Sequence, residues 1–144
     1  MAQLSQILQF AVRNGVSDVH LKVGKTPYFR LDGALVTQQQ MPVITEGELS
    51  GWFSAVTNGD EAARFARDHE LDFAISVEGV GRFRVSAYRE RGRLSLALRH
   101  ISYAIRTTAD LGLPSKLEEI ALAPRGLVLV TGATGSGKST TVAA

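Results

Sequence analysis

The sequence predicts an α+β fold, an antiparallel sheet with segregated helices, followed by the first strand, loop and helix of an α/β domain. Three observations support this prediction. Residues 71–101 contain three runs of alternating apolar and polar residues, typical of an antiparallel sheet with one solvated face. Residues 3–14 and 46–57 instead carry apolar residues at helical spacing. An apolar run at 127–131 leads into a glycine-rich loop that ends in Gly-Lys-Ser, a phosphate-binding pattern.

Further strands are predicted between the first two helices. Residues 18–23 alternate strictly between polar and apolar side chains, so we expect a strand with one buried face. Segments 28–31 and 34–37 flank Asp32-Gly33, a dipeptide that favours a tight hairpin turn. The amino-terminal part of the chain is therefore expected to contain six strands.

Capping residues mark the starts of three predicted helices. Thr45 and Glu48 have the spacing of a capping box, in which each side chain accepts a hydrogen bond from the other residue's backbone N–H. Asp60 is expected to cap a short helix that follows. Ser115 and Glu118 have the same spacing as the first pair, so we expect a second capping box there.

The last three strands are predicted to form a meander that is rich in arginine. Phe83 belongs to its apolar face, and Tyr88 belongs to its polar face. The polar face could be simply solvated, could form an anion site for a nucleotide, or could be a nucleic-acid platform on which Phe83 and Tyr88 stack. The inward position of Phe83 argues against the third alternative, and the first two stay open. The arginines of the meander, half of those in the chain, are Arg82, Arg84, Arg89, Arg91, Arg93 and Arg99.

Breaks in the pattern divide the chain into three parts. Gly112-Leu113-Pro114 ends a stretch with linker composition, and the apolar run before the glycine-rich loop starts at Gly126. We therefore predict an amino-terminal domain at 1–110, a linker with a short helix at 111–125, and the start of a second domain at 126–144.

The glycine-rich loop fits the G-x-x-x-x-G-K-S pattern of a P-loop. Its glycines can adopt positive φ, so that the backbone N–H groups surround an anion. Lys138 is expected to bind the β- and γ-phosphates of ATP and to act in catalysis, and the Ser139 hydroxyl is expected to coordinate Mg²⁺. The predicted nucleotide-binding residues are Gly132, Ala133, Thr134, Gly135, Ser136, Gly137, Lys138, Ser139 and Thr140.

Composition excludes several other classes of site. The net charge of +2 is too small to indicate nucleic acid or a membrane surface as a partner, and the absence of cysteine excludes disulfides and thiolate metal sites. His20, His69 and His100 lack the spacing of metal ligands and are expected to be structural. No transmembrane segment is expected, because no stretch is long and apolar enough.

An ordered set of motifs across nearly the whole chain resembles the secretion ATPase superfamily of type II secretion and type IV pili. Within it the chain is most similar to the PilT-type twitching-motility, pilus-retraction ATPases, which begin almost directly with the helix before the first motif. The motifs are Val16-Ser17-Asp18-Val19-His20-Leu21, Arg30-Leu31-Asp32-Gly33, Gly81-Arg82-Phe83-Arg84-Val85, Leu96-Ala97-Leu98-Arg99, Leu111-Gly112-Leu113-Pro114 and residues 126–141.

This resemblance implies a PAS-like amino-terminal domain joined to a RecA-like ATPase domain. It implies ATP bound between the two, with Arg84 and Arg99 contacting the phosphates as catalytic residues and Arg82 in reserve. It also implies a homo-oligomeric ring, expected to be a hexamer, in the cytoplasm. The ring is expected to be peripheral to the inner membrane, through contact with a pilus platform protein.

The chain departs from the family pattern at Ala133, where proline is usual, and at Ser86, where asparagine is usual. The acidic and histidine boxes of the family are expected beyond Ala144, so the chain is read as the amino-terminal portion of a longer motor and is expected to be inactive alone. The alternatives are a pilus-assembly or type II secretion ATPase of the same superfamily, or a PAS-like interaction module without activity.

Overall fold

The chain folds into two compact units, unit 1 (Met1–Ser102) and unit 2 (Tyr103–Ala144). Among the residues that the structure describes, no helix is long and apolar enough to cross a membrane. The computed structural model describes residues 2–38, 40–101, 107–133 and 136–144.

Unit 1 is a six-stranded antiparallel sheet with three helices. The predicted strands and helices are all present, with small shifts at their ends. The elements in chain order are α1 (Ala2–Arg13), β1 (Asp18–Lys22), β2 (Tyr28–Leu31), β3 (Ala34–Thr37), α2 (Glu46–Val56), α3 (Gly59–Asp68), β4 (Glu70–Val77), β5 (Gly81–Glu90) and β6 (Arg93–Ile101).

The strand order in the sheet is β3-β2-β1-β6-β5-β4. The first three strands and the last three each form a meander of neighbours, as alternation and turns predict. The two meanders join through an antiparallel pairing of β1 with β6. That pairing places residues of the first meander beside the arginines of the second, and it determines the geometry of the site described below.

The three helices cover one face of the sheet. Ring contacts show this arrangement: Phe10 of α1 lies 5.2 Å from Phe29 of β2, and Phe53 of α2 lies 6.3 Å from Phe73 of β4, between ring centroids. Phe53 also contacts Phe65 of α3. The fully buried centre of this face contains Val19, Leu21, Phe29, Phe83, Val85, Leu96 and Leu98. The opposite face carries the polar and charged side chains.

Two hairpin turns have the backbone geometry that their residues favour. Both central residues of each turn have positive φ, 48° and 83° at Asp32-Gly33 and 51° and 78° at Arg91-Gly92. These are the signs of a type I′ turn, whose twist matches that of the flanking strands. Each glycine adopts this conformation without steric cost.

Of the two predicted caps at the starts of α2 and α3, the first is present and the second is not. The Thr45–Glu48 capping box is present, with the Thr45 backbone N–H donating to the Glu48 carboxylate at 2.8 Å. The predicted cap at Asp60 is wrong, because α3 already starts at Gly59 and Asp60 lies inside its first turn. Asn58 caps it instead, and its side-chain oxygen accepts the Glu61 N–H at 2.9 Å.

The described residues of unit 2 contain two short helices, α4 (Lys116–Ala121) and α5 (Lys138–Ala143). The predicted capping box at α4 is wrong: Ser115 has helical backbone angles and makes no side-chain cap bond, and Glu118 instead accepts a hydrogen bond from the Thr108 hydroxyl.

The predicted buried strand before the P-loop is not observed. Residues 127–131 have no regular secondary structure, and Leu127 is 83% exposed. A strand needs hydrogen-bonding neighbours, and no other described part of unit 2 is a strand. The start of a RecA-like domain therefore stays a sequence-based expectation.

Candidate functional site

The polar face of the unit 1 sheet carries a line of charged residues on four neighbouring strands. Asp18 of β1 lies directly opposite Arg30 of β2 on one side and Arg99 of β6 on the other. Arg99 in turn lies opposite Arg84 of β5. Directly paired residues of an antiparallel sheet project from the same face. We call these four residues, Arg30, Asp18, Arg99 and Arg84, the charged row.

Asp18 is the one carboxylate of the charged row, and only 8% of this residue is exposed. Its Oδ1 accepts a hydrogen bond from Arg99 Nε at 2.7 Å, and its Oδ2 lies 3.5 Å from Arg30 Nε. The Ser17 hydroxyl donates to Oδ2 at 2.8 Å. Burial by itself raises the pKa of Asp18, but the hydrogen bonds from Arg99 and Ser17 and the charges of Arg99 and Arg30 outweigh it and hold the pKa below its ordinary value. Asp18 is therefore a buried, ionised counter-ion shared by two arginines.

Arg99 is anchored at one end of its guanidinium and open at the other. Its side chain is 70% exposed, and Nε is the atom that bonds Asp18. Within the described ranges, its terminal nitrogens Nη1 and Nη2 have no hydrogen-bond partner. These two nitrogens form a fork of the kind that binds two oxygens of one anion.

Arg84 is held differently from Arg99. Its terminal nitrogen Nη2 contacts Asp72 Oδ2 of β4 at 3.1 Å, and both side chains are more than half exposed. The Ser86 hydroxyl also bonds Asp72, and this bond and that from Arg84 lower the pKa of Asp72. Arg82 lies on the same face of β5 and makes no ion pair with any residue that the structure describes.

A groove of about 780 Å³ lies on the same face, beside the charged row, and includes His20, Tyr28, Tyr88 and Ser95. His20 Nε2 is buried and has no hydrogen-bond partner among the described residues. Burial lowers the pKa of His20, and the nearby arginines and lysine lower it further against the opposing effect of Asp18. His20 is therefore a neutral imidazole at neutral pH.

In the described part of the P-loop, the lysine side chain is hydrogen-bonded to carbonyl oxygens of the same loop. Lys138 Nζ donates to the carbonyl oxygens of Gly132 at 2.9 Å and Ala133 at 2.6 Å. Gly137 has a φ of 89°, and a Cβ on Gly132 would lie 2.8 Å from Ser136 Oγ. Gly132 also has a positive φ, 153°, so a side chain at either position would be strained by its backbone conformation. The predicted residues Ser139 and Thr140 lie in α5, and Thr134 and Gly135 lie outside the described residues.

The described residues fit a phosphate group. The Lys138 ammonium lies beside the loop, and the backbone has positive φ at Gly132 and Gly137, as in loops whose N–H groups bind an anion. The Ser139 hydroxyl is exposed at the start of α5, where a P-loop serine ligates Mg²⁺. The described residues contain no cluster of histidine and carboxylate side chains that could hold a metal ion on its own.

Sequence reasoning named Arg82, Arg84, Arg99 and the P-loop residues as site residues, and these stay predictions. It did not name Asp18 and Arg30, which the structure places in one row with Arg99 and Arg84. Asp18 could have been recognised because it is a carboxylate within a predicted strand that has one buried face. A carboxylate in such a position requires a cation on a neighbouring strand. Its partner Arg99 is 81 residues away in the chain, so no local pattern connects the two.

Comparison with known proteins gives consistent results. A family model described as "Type II/IV secretion system protein" matches residues 1–144. The chain is 38% identical over 142 residues to the type IV pilus ATPase PilU of Pseudomonas aeruginosa, with 99% of this chain and 37% of that protein covered. It is 36% identical over 141 residues to the type IV pilus retraction ATPase PilT of the same organism, with 98% and 41% covered.

A solved structure is also similar. The crystal structure of the pilus retraction motor PilT with bound ADP matches with a TM-score of 0.84 and 36% identity, over 96% of this chain and 40% of that one. The chain thus spans about two fifths of the length of these relatives. The matches confirm the resemblance that the ordered motifs indicated.

Proposed function

Because the chain belongs to the type II/IV secretion system protein family, we propose that the whole protein is an ATP-hydrolysing motor that powers type IV pilus retraction and twitching motility. The observation that carries this proposal is a complete G-x-x-x-x-G-K-S motif in a chain that is 36% identical to a pilus retraction ATPase. The similar structure with bound ADP supports a nucleotide as the ligand.

In this proposal the P-loop binds the phosphates of ATP. Lys138 exchanges its two loop carbonyl partners for β- and γ-phosphate oxygens, which are stronger acceptors because they are charged. The loop N–H groups donate to the same oxygens, and the Ser139 hydroxyl ligates Mg²⁺. When bound, Mg²⁺ neutralises charge that develops on the phosphates during transfer.

The arginines of unit 1 are proposed to contact the nucleotide as well. Arg84 and Arg99 are the principal candidates, with Arg82 in reserve. Their forks are exposed, and charge on the transferred phosphoryl group is what an arginine stabilises in motors of this kind.

Nucleic acid is a poorer candidate for the ligand of this face. Phe83 is 0% exposed and belongs to the core, so it cannot stack on a base. Tyr28 and Tyr88 remain on the polar face, but they belong to the groove beside the charged row and not to the strand positions of its arginines. We therefore assign the polar face to an anion of the nucleotide type.

The proposed working form is a homo-oligomeric ring, a hexamer, in the cytoplasm. It would bind a platform protein of the pilus at the inner membrane and convert ATP hydrolysis into pilus disassembly. Family membership and the pilus ATPases among the relatives support this part. The runner-up is a pilus-assembly or secretion ATPase of the same family.

A further alternative is that unit 1 acts as a PAS-like interaction module. The observation that favours it is the self-contained core of unit 1, which is built from its own sheet and helices. ATP turnover by the whole protein that does not respond to any arginine substitution would support this alternative.

The test is ATP turnover by the full-length protein and its Lys138→Ala variant, with Lys116→Ala as the matched control. Lys116 is an exposed lysine of the same unit that pairs with Glu119. We expect Lys138→Ala to lower kcat roughly 10²-fold or more, since it removes a donor aimed at the transferring phosphate, and Lys116→Ala to have no effect. Normal turnover in Lys138→Ala would overturn the proposal, and normal turnover in an Arg84→Ala/Arg99→Ala double variant would overturn the role given to the arginines.

A further inference from the structure

The two candidate arginines differ in which atom each uses for its carboxylate partner. Arg99 bonds Asp18 through Nε, so both of its terminal nitrogens stay available. Arg84 bonds Asp72 through the terminal nitrogen Nη2, so half of its fork is already occupied. A phosphate can therefore bind the Arg99 fork without breaking the Asp18 bond, whereas it must compete with Asp72 for the Arg84 fork.

The two carboxylates also differ in how firmly they are held. The Asp18 side chain is 12% exposed and is fixed by Ser17, Arg30 and Arg99. The Asp72 side chain is 57% exposed, where solvent weakens its ion pair with Arg84. An arginine anchored to a buried, oriented carboxylate loses less conformational entropy on binding an anion than one tied to an exposed carboxylate.

Building on the proposed function, we propose that Asp18 is a positioning residue that pre-organises Arg99 as the principal phosphate-binding arginine. Asp18 fixes the Nε edge of the guanidinium and leaves its outer fork directed to the anion. Arg30 supplies the second positive charge on Asp18, which keeps the carboxylate ionised and prevents it from drawing the whole Arg99 fork toward itself.

The charge balance of the row supports this role. Three arginines face one buried carboxylate in the charged row, so positive charge remains after Asp18 is neutralised. Arg84 and Arg99 lie directly opposite each other, and like charges in that position repel. Asp18 and Asp72 draw the two guanidiniums to opposite sides, which keeps Arg99 in its anchored geometry when no anion is present.

The experiment is steady-state ATP hydrolysis by the full-length protein, with kcat and KM measured separately for Asp18→Asn, Arg99→Ala and the double variant. We expect Asp18→Asn to lower kcat/KM about tenfold or more, because a misdirected binding group loses much of its effect. In the Arg99→Ala background, Asp18→Asn should add less than a twofold further loss, because the group that Asp18 positions is absent. A merely structural role of Asp18 would give the same loss in both backgrounds and would overturn the inference.

Three further variants test the same inference even if the Asp18→Asn variant does not fold. Ser17→Ala removes one support of Asp18 and should lower kcat/KM in the same direction by a smaller factor. Arg99→Lys keeps the charge but removes the fork, so it should lose nearly as much as Arg99→Ala. Glu90→Gln is the matched control, since it breaks the exposed Lys22–Glu90 pair on the same face and should stay within twofold of the wild type.

The outcomes separate this inference from the proposed function. If Lys138→Ala hydrolyses ATP normally, the proposed function itself fails. If Lys138→Ala is inactive but Arg99→Lys is fully active, or Arg84→Ala costs more than Arg99→Ala, the function stands and the role given to Asp18 and Arg99 is wrong.

Discussion

The two units of the chain hold the cationic side chains of the candidate site in different ways. In unit 1, Arg99 and Arg84 project from paired strands and are tied to carboxylates of neighbouring strands. In unit 2, Lys138 is held by the carbonyl oxygens of its own loop, six and five residues away in the chain. One set of charges is positioned by tertiary structure, and the other is positioned by local sequence.

The difference extends to the apolar residues of the two units. Unit 1 buries a continuous core between its sheet and its helices. None of the described residues from 107 onward is buried, and the apolar run that precedes the P-loop is exposed, with Leu129 at 74%. The free energy that stabilises the fold therefore lies in unit 1, because burial of apolar surface is its main source.

The largest expected effect tests that assignment directly. Phe83→Ala should lower the free energy of unfolding of the chain by about 3–5 kcal/mol, because Phe83 is 0% exposed and its loss leaves a cavity. Leu129→Ala is the matched change in unit 2 and should stay within about 0.5 kcal/mol of the wild type. Urea denaturation of both variants gives the two values. Comparable losses would show that the segment before the P-loop is buried and that the contrast between the units is wrong.

The next effect concerns the charges themselves. Asp18→Asn should cost about 1–3 kcal/mol at neutral pH, since it weakens the charge-assisted hydrogen bond from Arg99 and the ion pair with Arg30. The folded state lowers the pKa of Asp18, so this stabilisation is present above the ordinary carboxyl pKa and is lost as pH falls through the folded value. The difference between wild type and Asp18→Asn should therefore shrink below about pH 4.

The control for that experiment is Lys138→Ala, which should leave the free energy of unfolding nearly unchanged at every pH, because its partners are carbonyls of an exposed loop. Denaturation curves at a series of pH values measure both variants. A difference between wild type and Asp18→Asn that grows on acidification would mean that Asp18 is not an ionised counter-ion in the folded chain.

The same contrast explains what could be predicted from the sequence. Strand alternation and the turn at Asp32-Gly33 depend on neighbouring residues, and they were predicted correctly. The pairing of β1 with β6 depends on how two meanders join, which no local pattern specifies. The P-loop residues were identified because their pattern is contiguous. The strand before them was predicted wrongly. An apolar run is typical of a buried strand, but a strand forms only where a neighbouring strand can hydrogen-bond with it, and the run itself does not show that.

The smallest effect compares one motif in the two units. Thr45–Glu48 and Ser115–Glu118 have the same capping-box spacing, but only the first pair forms a capping box. The Glu48 N–H donates to Thr45 Oγ1 at 3.3 Å, whereas Ser115 makes no cap bond.

Thr45→Ala should raise the hydrogen-exchange rate of the Glu48 amide roughly fivefold. Ser115→Ala should leave the Glu118 amide unchanged, because that N–H donates to the Ser115 backbone carbonyl, which alanine retains. Amide exchange measured by NMR distinguishes the two sites, and faster exchange at Glu118 in Ser115→Ala would show that the serine hydroxyl caps α4 in solution. The reason for the difference is local: in unit 1 the capping residue has the extended backbone that a capping box requires, at a ψ of 161°, whereas Ser115, at a ψ of −21°, is already helical.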